Sequence, residues 1–245
     1  MLFYITDRQM NHYNTPLYRV TEMNYIELRN ITLTFQTKTQ KIPIFKNLNL
    51  SFSKGDFATI YGPSGKGKST LLNLVSGFVR PNAGNVIIDD TDLGKMTESK
   101  ISEFRNKRIG YIFQAFNLIQ QFNVKDNIAV PLLLAGNKKA EVKRRVDELL
   151  EVIGMAHRKM EYPRTLSGGE QQRVAFARAI ANEPDIILAD EPTGNLDSAN
   201  GQHLIRLIKG LNEEREVTVL CVSHDERIIT QGSRSIAIEE ITCVE

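Results

Sequence analysis

Apolar and polar residues alternate along Tyr25-Ile-Glu-Leu-Arg-Asn-Ile31, the period expected of a half-buried strand. Three further strand-like runs follow at Ile42–Phe45, Leu48–Phe52 and Phe57–Tyr61, the last after a Lys54-Gly55-Asp56 turn. A glycine-rich loop then leads into a helix predicted from about Lys68 to Gly77. Val86–Asp89 and Ile109–Phe113 read as short strands, the second opening into a loop. From about Asp126 to Tyr162 the period changes to that of helix. Val142, Val146, Leu149, Leu150 and Ile153 recur three and four apart, with Lys and Arg on the opposite face. A helix over 170–182 ends at Asn182-Glu-Pro184. The apolar strands Asp185–Ala189 and Val217–Val222 come next, separated by a helix over roughly 198–212.

Buried apolar strands alternating with helices predict an α/β fold with a mostly parallel sheet. No internal repeat or low-complexity stretch interrupts it. Residues 1–22 show neither period and read as an N-terminal extension outside the fold, so the domain is expected over 23–245.

Composition narrows the function. Thirty-one Lys and Arg against 29 Asp and Glu leave a net charge of +2, which gives no electrostatic case for nucleic acid. The two cysteines, Cys221 in an apolar run and Cys243 near the end, form neither a disulfide framework nor a metal site, and fit a reducing compartment. The most apolar stretch, Ile128–Ala135, falls far short of the ~20 residues of a spanning helix, and the N-terminus lacks the pattern of a secretory signal. Work at a membrane would therefore need another chain to supply the span.

Three motifs carry chemistry. Gly62-Pro-Ser-Gly-Lys-Gly-Lys-Ser69 has the G-x-x-x-x-G-K-[ST] spacing, after a predicted strand and before a predicted helix. Such a loop turns successive backbone N–H groups inward onto phosphate oxygens, and the helix N-terminus adds positive partial charge. Lys68 is placed to reach the β- and γ-phosphates of ATP, and the Ser69 hydroxyl to bind Mg²⁺. Pro63, Ser64, Gly65, Lys66, Gly67 and Thr70 complete the cradle. The second motif, Asp185-Ile-Ile-Leu-Ala-Asp190-Glu191, ends an apolar strand in two carboxylates at the edge where open α/β sheets bind ligands. Asp190 suits Mg²⁺, and Glu191 suits a general base for an attacking water. In the third, Leu166-Ser-Gly-Gly-Glu-Gln-Gln-Arg173, Ser167 occupies an N-cap position, with Gly168 and Gly169 opening a helix. This makes a second anion site. One small nucleotide does not need two such sites on one chain, whereas a dimer that sandwiches ATP does.

Together these residues, from Met23 to about Ile241, resemble the ATP-binding cassette (ABC) ATPases, the Leu166–Gln171 signature being the most specific feature. The resemblance implies a P-loop NTPase core with a mostly parallel sheet, an N-terminal antiparallel β subdomain and an inserted helical subdomain at about 98–168. It implies that Gln114 touches Mg²⁺ and the water, that Gly194-Asn-Leu-Asp197 is a loop crossing a dimer interface, and that His224 lies near the γ-phosphate. Phe35 falls where the family places an aromatic residue stacked on adenine, with Phe45 as its competitor. His12, His157 and His203 have no such context. The wording of Ala189–Asp197 and Val130–Gly136 looks like the branch that includes lipoprotein-release, macrolide-efflux and cell-division ATPases. The implied assembly is a homodimer with ATP bound, attached through an integral membrane permease to the inner face of the cell membrane. The alternative is an ATPase switch that signals through a membrane partner without transport. Two features depart from the family pattern. Lys66 replaces a small residue, either adding a cation beside the phosphates or pointing to solvent. The sequence also runs only a short way past its last predicted strand, which predicts no C-terminal regulatory domain.

Overall fold

The computed structural model describes residues 24–38 and 40–241. The 1–22 extension, His12 and Cys243 lie outside the described residues. Two sheets face each other. The first is antiparallel, in the order β2-β1-β4-β5, from β1 (Asn24–Gln36), β2 (Lys41–Ser53), β4 (Ala83–Ile88) and β5 (Thr91–Asp92). The second is parallel, in the order β6-β7-β8-β3-β9, from β3 (Phe57–Tyr61), β6 (Ile109–Ile112), β7 (Ile186–Asp190), β8 (Thr218–Val222) and β9 (Arg234–Ala237). Helix α1 (Lys68–Val75) follows β3. Between β6 and β7 run α3 (Val124–Leu134), α4 (Lys139–Val152) and α5 (Gly168–Ala179); α6 (Ser198–Arg215) joins β7 to β8. The expected antiparallel β layer, parallel core and helical insertion are all present.

The parallel sheet is a wall between two cores, and the two-residue period of its strands feeds both. From β7, Ile186 and Leu188 pack with Leu220, Ile60, Ile26, Phe45 and Leu72, between the sheet, α1 and the antiparallel layer. Ile187 and Ala189 face the other way, onto Phe176, Leu150, Ile128 and Leu204 of the helical layer. Cys221 belongs to this second core, where burial raises its thiol pKa well above the ordinary value.

Three elements differ from the sequence pattern. The runs 42–45 and 48–52 form one strand, β2. A register shift between Phe45 and Leu48, with Asn47 at φ 56°, absorbs the break in alternation. Helix α2 (Glu98–Arg108) was invisible to periodicity because Ile101 is the one residue it buries. Thr97 caps its start by accepting from the Lys100 N–H. β9 is four residues long with one buried side chain, Ile236, and leads into the one-turn α8 (Ile238–Ile241).

Candidate functional site

The chemistry-bearing residues gather where strands of the parallel sheet end. β3 runs into the 62–69 loop, β6 into Gln114, β7 into Asp190 and Glu191, and β8 into Ser223 and His224. Ligands bind at this carboxyl edge in open α/β sheets because helix N-termini and irregular backbone N–H groups converge there.

The 62–69 loop turns on glycines in backbone states that other residues avoid. Gly67 caps α1 at φ 92°, and a Cβ there would come within 2.8 Å of Ile44 Cγ2 and 3.3 Å of Phe45 Cζ. Phe45, entirely buried, is thus the floor beneath the loop, while Phe35 on β1 is 38% exposed. The Lys68 Nζ donates to the carbonyls of Gly62 at 2.7 Å and Pro63 at 2.8 Å. Pro63, Ser64, Gly65 and Lys66 are exposed.

Ser69 Oγ donates to Asp190 Oδ1 at 2.9 Å, so the first turn of α1 meets the tip of β7. Burial raises the Asp190 pKa and the Glu191 charge adds to this, while Ser69 and Lys68 oppose them. Glu191 departs from the strand at φ 45° and is held there by its N–H, which donates to Val222 O at 2.8 Å. His224 Nδ1 lies 2.8 Å from Glu191 Oε2, a buried oxygen that makes no hydrogen bond among the described residues. Gln114 lies against the loop after Glu191. Its carbonyl accepts from Asn195 Nδ2 at 2.8 Å, and a Cβ on Gly194 would sit 3.5 Å from its Nε2.

Ser167, Gly168 and Gly169 form a separate turn that meets the cluster at Asn195, whose carbonyl would lie 3.6 Å from a Cβ on Gly168. Ser167 Oγ caps α5 by accepting from the Glu170 N–H, and the Glu170 carboxylate accepts from the Ser167 N–H at 2.8 Å. That backbone bond, ahead of the Ser167 hydroxyl and the nearby arginines, lowers the Glu170 pKa. No hydrogen bond or ion pair among the described residues joins the 62–69 loop to the 166–170 turn. The turn leans instead on the start of α6. A Cβ on Gly169 would come within 2.4 Å of Asn200 Cγ, so any larger residue would have to displace the Asn200 side chain. Arg173 Nη1 donates to Asn200 Oδ1, and the buried Gln172 donates through Nε2 to Pro192 O at 2.9 Å.

Periodicity and motif spacing gave no reason to single out Asn195, Asn200, Thr193 and Asp225. Thr193 and Asn195 lie inside the quoted Ala189–Asp197 stretch, and Asn200 and Asp225 stand close to quoted residues; that proximity was the available signal. His157 and His203 lie outside the cluster; burial lowers the His203 pKa, and Arg173 and Arg206 add to the effect.

A glycine-rich loop between strand and helix, with a serine of that helix bonded to the first of two carboxylates at the tip of a parallel strand, defines a P-loop nucleotide-binding protein. The family model described as ABC transporter matches residues 45–194. The chain belongs to this family: it is an ATP-binding subunit of an ABC transporter and an ATP hydrolase. It is 40% identical to the ABC transporter ATP-binding protein YtrE of Bacillus subtilis, over 86% of this chain and 91% of that protein. It is 42% identical to the lipoprotein-releasing system ATP-binding protein LolD 1 of Chlorobium chlorochromatii, over 79% of each. The dimeric post-hydrolysis structure of the ATP-binding cassette MJ0796, bound to ADP and Pi, superposes with a TM-score of 0.81 at 39% identity, covering 86% of this chain and 93% of that one. MJ0796 is a protein of Methanocaldococcus jannaschii.

Proposed function

We propose that the chain works as a homodimer that couples MgATP hydrolysis to conformational change in a separate integral membrane permease. Residues 23–245 form the ATPase domain, and the helical subdomain at about 98–168 is carried mainly by the helices that leave the parallel sheet after β6. The observation that carries the hydrolytic reading is Glu191 Oε2, buried at the mouth of the strand tips without a hydrogen bond. A carboxylate oxygen so placed retains its acceptor capacity for a water proton.

The other roles follow from position. Lys68 exchanges its two loop carbonyls for the terminal phosphates. Ser69 and Asp190, with the Gln114 side chain, supply the hard oxygen ligands that suit Mg²⁺, which binds through few protein groups together with substrate phosphates. Among the described residues no cluster of three or more His, Cys, Asp or Glu forms a self-sufficient metal cage, which agrees with a cation that arrives with the nucleotide. When bound, Mg²⁺ would neutralise charge on the β- and γ-phosphates. His224 contacts the γ-phosphate side of the same space, and Phe35 offers an open ring face to adenine.

Ser167, Gly168 and Gly169 address the nucleotide of the second copy. This explains a capped helix start carrying anion-binding geometry but no bond to the P-loop of its own chain. The dimeric state of MJ0796 with ADP and Pi supports this arrangement. Two identical chains related by a twofold axis would then hold two equivalent sites. No helix among the described residues is long and apolar enough to cross a membrane, so the permease would hold the chain at the inner membrane face. Purifying the tagged chain from detergent-solubilised membranes tests this. An integral membrane protein should co-purify, and its complex should hydrolyse ATP. Recovery of the chain with no membrane protein, at every detergent tried, would reject the permease.

A further inference from the structure

Asp225, beside His224, ties together three segments. Its Oδ2 accepts from Thr193 Oγ1 at 2.9 Å and from Arg227 Nη2 at 2.6 Å, while Oδ1 accepts from the Arg227 N–H at 3.0 Å and Nε at 2.8 Å. The other arm of the guanidinium reaches α6, with Nη1 donating to Ser198 Oγ at 3.0 Å and Ser198 O at 3.3 Å. The guanidinium lies across Gly201, where a Cβ would stand 3.3 Å from Nη2. Arg227 therefore joins the loop of His224 to the first turn of α6, and through Asp225 to the turn after Glu191. None of these contacts touches the phosphate cradle.

We propose that Arg227 is a positioning residue for hydrolysis: acting through Asp225, it fixes the loop carrying His224 against the turn carrying Glu191. The proposal rests on the roles given to Glu191 and His224 under Proposed function. His224 is 74% exposed, so little packing sets its place and the loop beneath must do so. Thr193 is buried two residues beyond Glu191, so a carboxylate gripping Thr193 also grips the base of that turn. The geometry needs an arginine. A planar fork donates to a carboxylate with two nitrogens and still has a third for Ser198, whereas an ammonium is a point charge. Misplacing a catalytic group by about 1 Å costs on the order of a hundredfold in rate.

The test is steady-state ATP hydrolysis by the full-length chain and its variants, with melting temperatures measured alongside. Arg227→Ala should lower kcat by about tenfold or more. The KM for ATP should stay within about twofold, because the cradle is untouched. Arg227→Lys should recover part of kcat, since it restores a cation beside Asp225 but not the Ser198 bonds. Thr193→Val, which keeps Arg227 and removes the Asp225 bond to the turn, should also lower kcat at constant KM, and gives the answer should Arg227→Ala fail to fold. Wild-type kcat in Arg227→Ala would overturn the proposal, as would a parallel loss of kcat, KM and melting temperature in the Ala and Lys variants alike. Glu191→Gln separates the two readings. If it hydrolyses ATP at the wild-type rate, the site itself is misassigned. If it is inactive while Arg227→Ala is fully active, only the positioning role falls.

Discussion

His224 and Glu191 meet across the ends of two adjacent strands, Nδ1 to Oε2 at 2.8 Å, with the glutamate 14% exposed and the histidine 74%. The carboxylate is sheltered and its neighbour is open. Glu191→Gln should separate binding from turnover. The amide keeps the shape but cannot take a proton, so turnover should fall by about 10²–10⁴-fold, the usual worth of a general base. Lys68, Ser69 and Asp190 remain, so MgATP should still bind and the protein should accumulate as an ATP-bound dimer. Ser167→Arg added to it should prevent that dimer, by placing bulk and charge where the second copy's phosphates would approach. Sizing chromatography with and without MgATP checks both outcomes.

Lys68→Ala should abolish tight MgATP binding. The buried lysine is the loop's inward cation, held by the Gly62 and Pro63 carbonyls, whereas Lys66 is exposed. Fluorescent-nucleotide titration is the measurement. Affinity within a few-fold of wild type would mean that Lys66 takes its place.

Phe35 and Phe45 should fail in different ways. Phe35→Ala removes an exposed ring, so ATP and GTP should both bind more weakly, by about 1–3 kcal/mol, at an unchanged melting temperature. Phe45→Ala opens a cavity under Gly67 in the core, and should cost about 3–5 kcal/mol of stability. Calorimetric titration and thermal melts on both variants compare the two losses.

Asp225→Asn should make stability depend differently on acid. Arg227 above all, aided by its N–H and by Thr193, holds the Asp225 carboxyl down to about 2, against an ordinary 3.8. A depressed carboxylate stabilises the fold fully above its unfolded pKa, and that contribution fades as pH falls toward the folded one. The variant should therefore melt below wild type at neutral pH, and the gap should narrow as pH falls from 3.8 toward about 2. Melting curves along that series decide it. A gap that stays constant with pH would show that the charge on Asp225 is not what stabilises the loop.

Much of this molecule was readable in advance for a definite physical reason. Strands β7 and β8 are buried on both faces, so their residues form unbroken apolar runs, and the polar groups at their ends stand out. The 62–69 loop announces itself because a phosphate cradle demands glycines at fixed spacing. What escaped notice has weak local signals. Helix α2 buries a single side chain and so carries almost no period. The Asp225–Arg227–Ser198 bridge ties a local pair to a residue 29 positions before Arg227, through side chains that look, one by one, like an ordinary solvated surface. Telling Phe45, buried beneath the loop, from Phe35, in the open, required the folded arrangement of β1 and β2.

The contact between Gly169 and Asn200 has a mechanical consequence. With no room for even a methyl group between them, the start of α5 and the start of α6 interlock like a tooth in a notch. Neither can slide along the other without the notch opening. A push on the loop at 194–197 would therefore reach the Ser167 turn through this contact together with the Arg173–Asn200 and Gln172–Pro192 hydrogen bonds. The Ser167 turn is in this sense tied to α6 by shape as well as by hydrogen bonding.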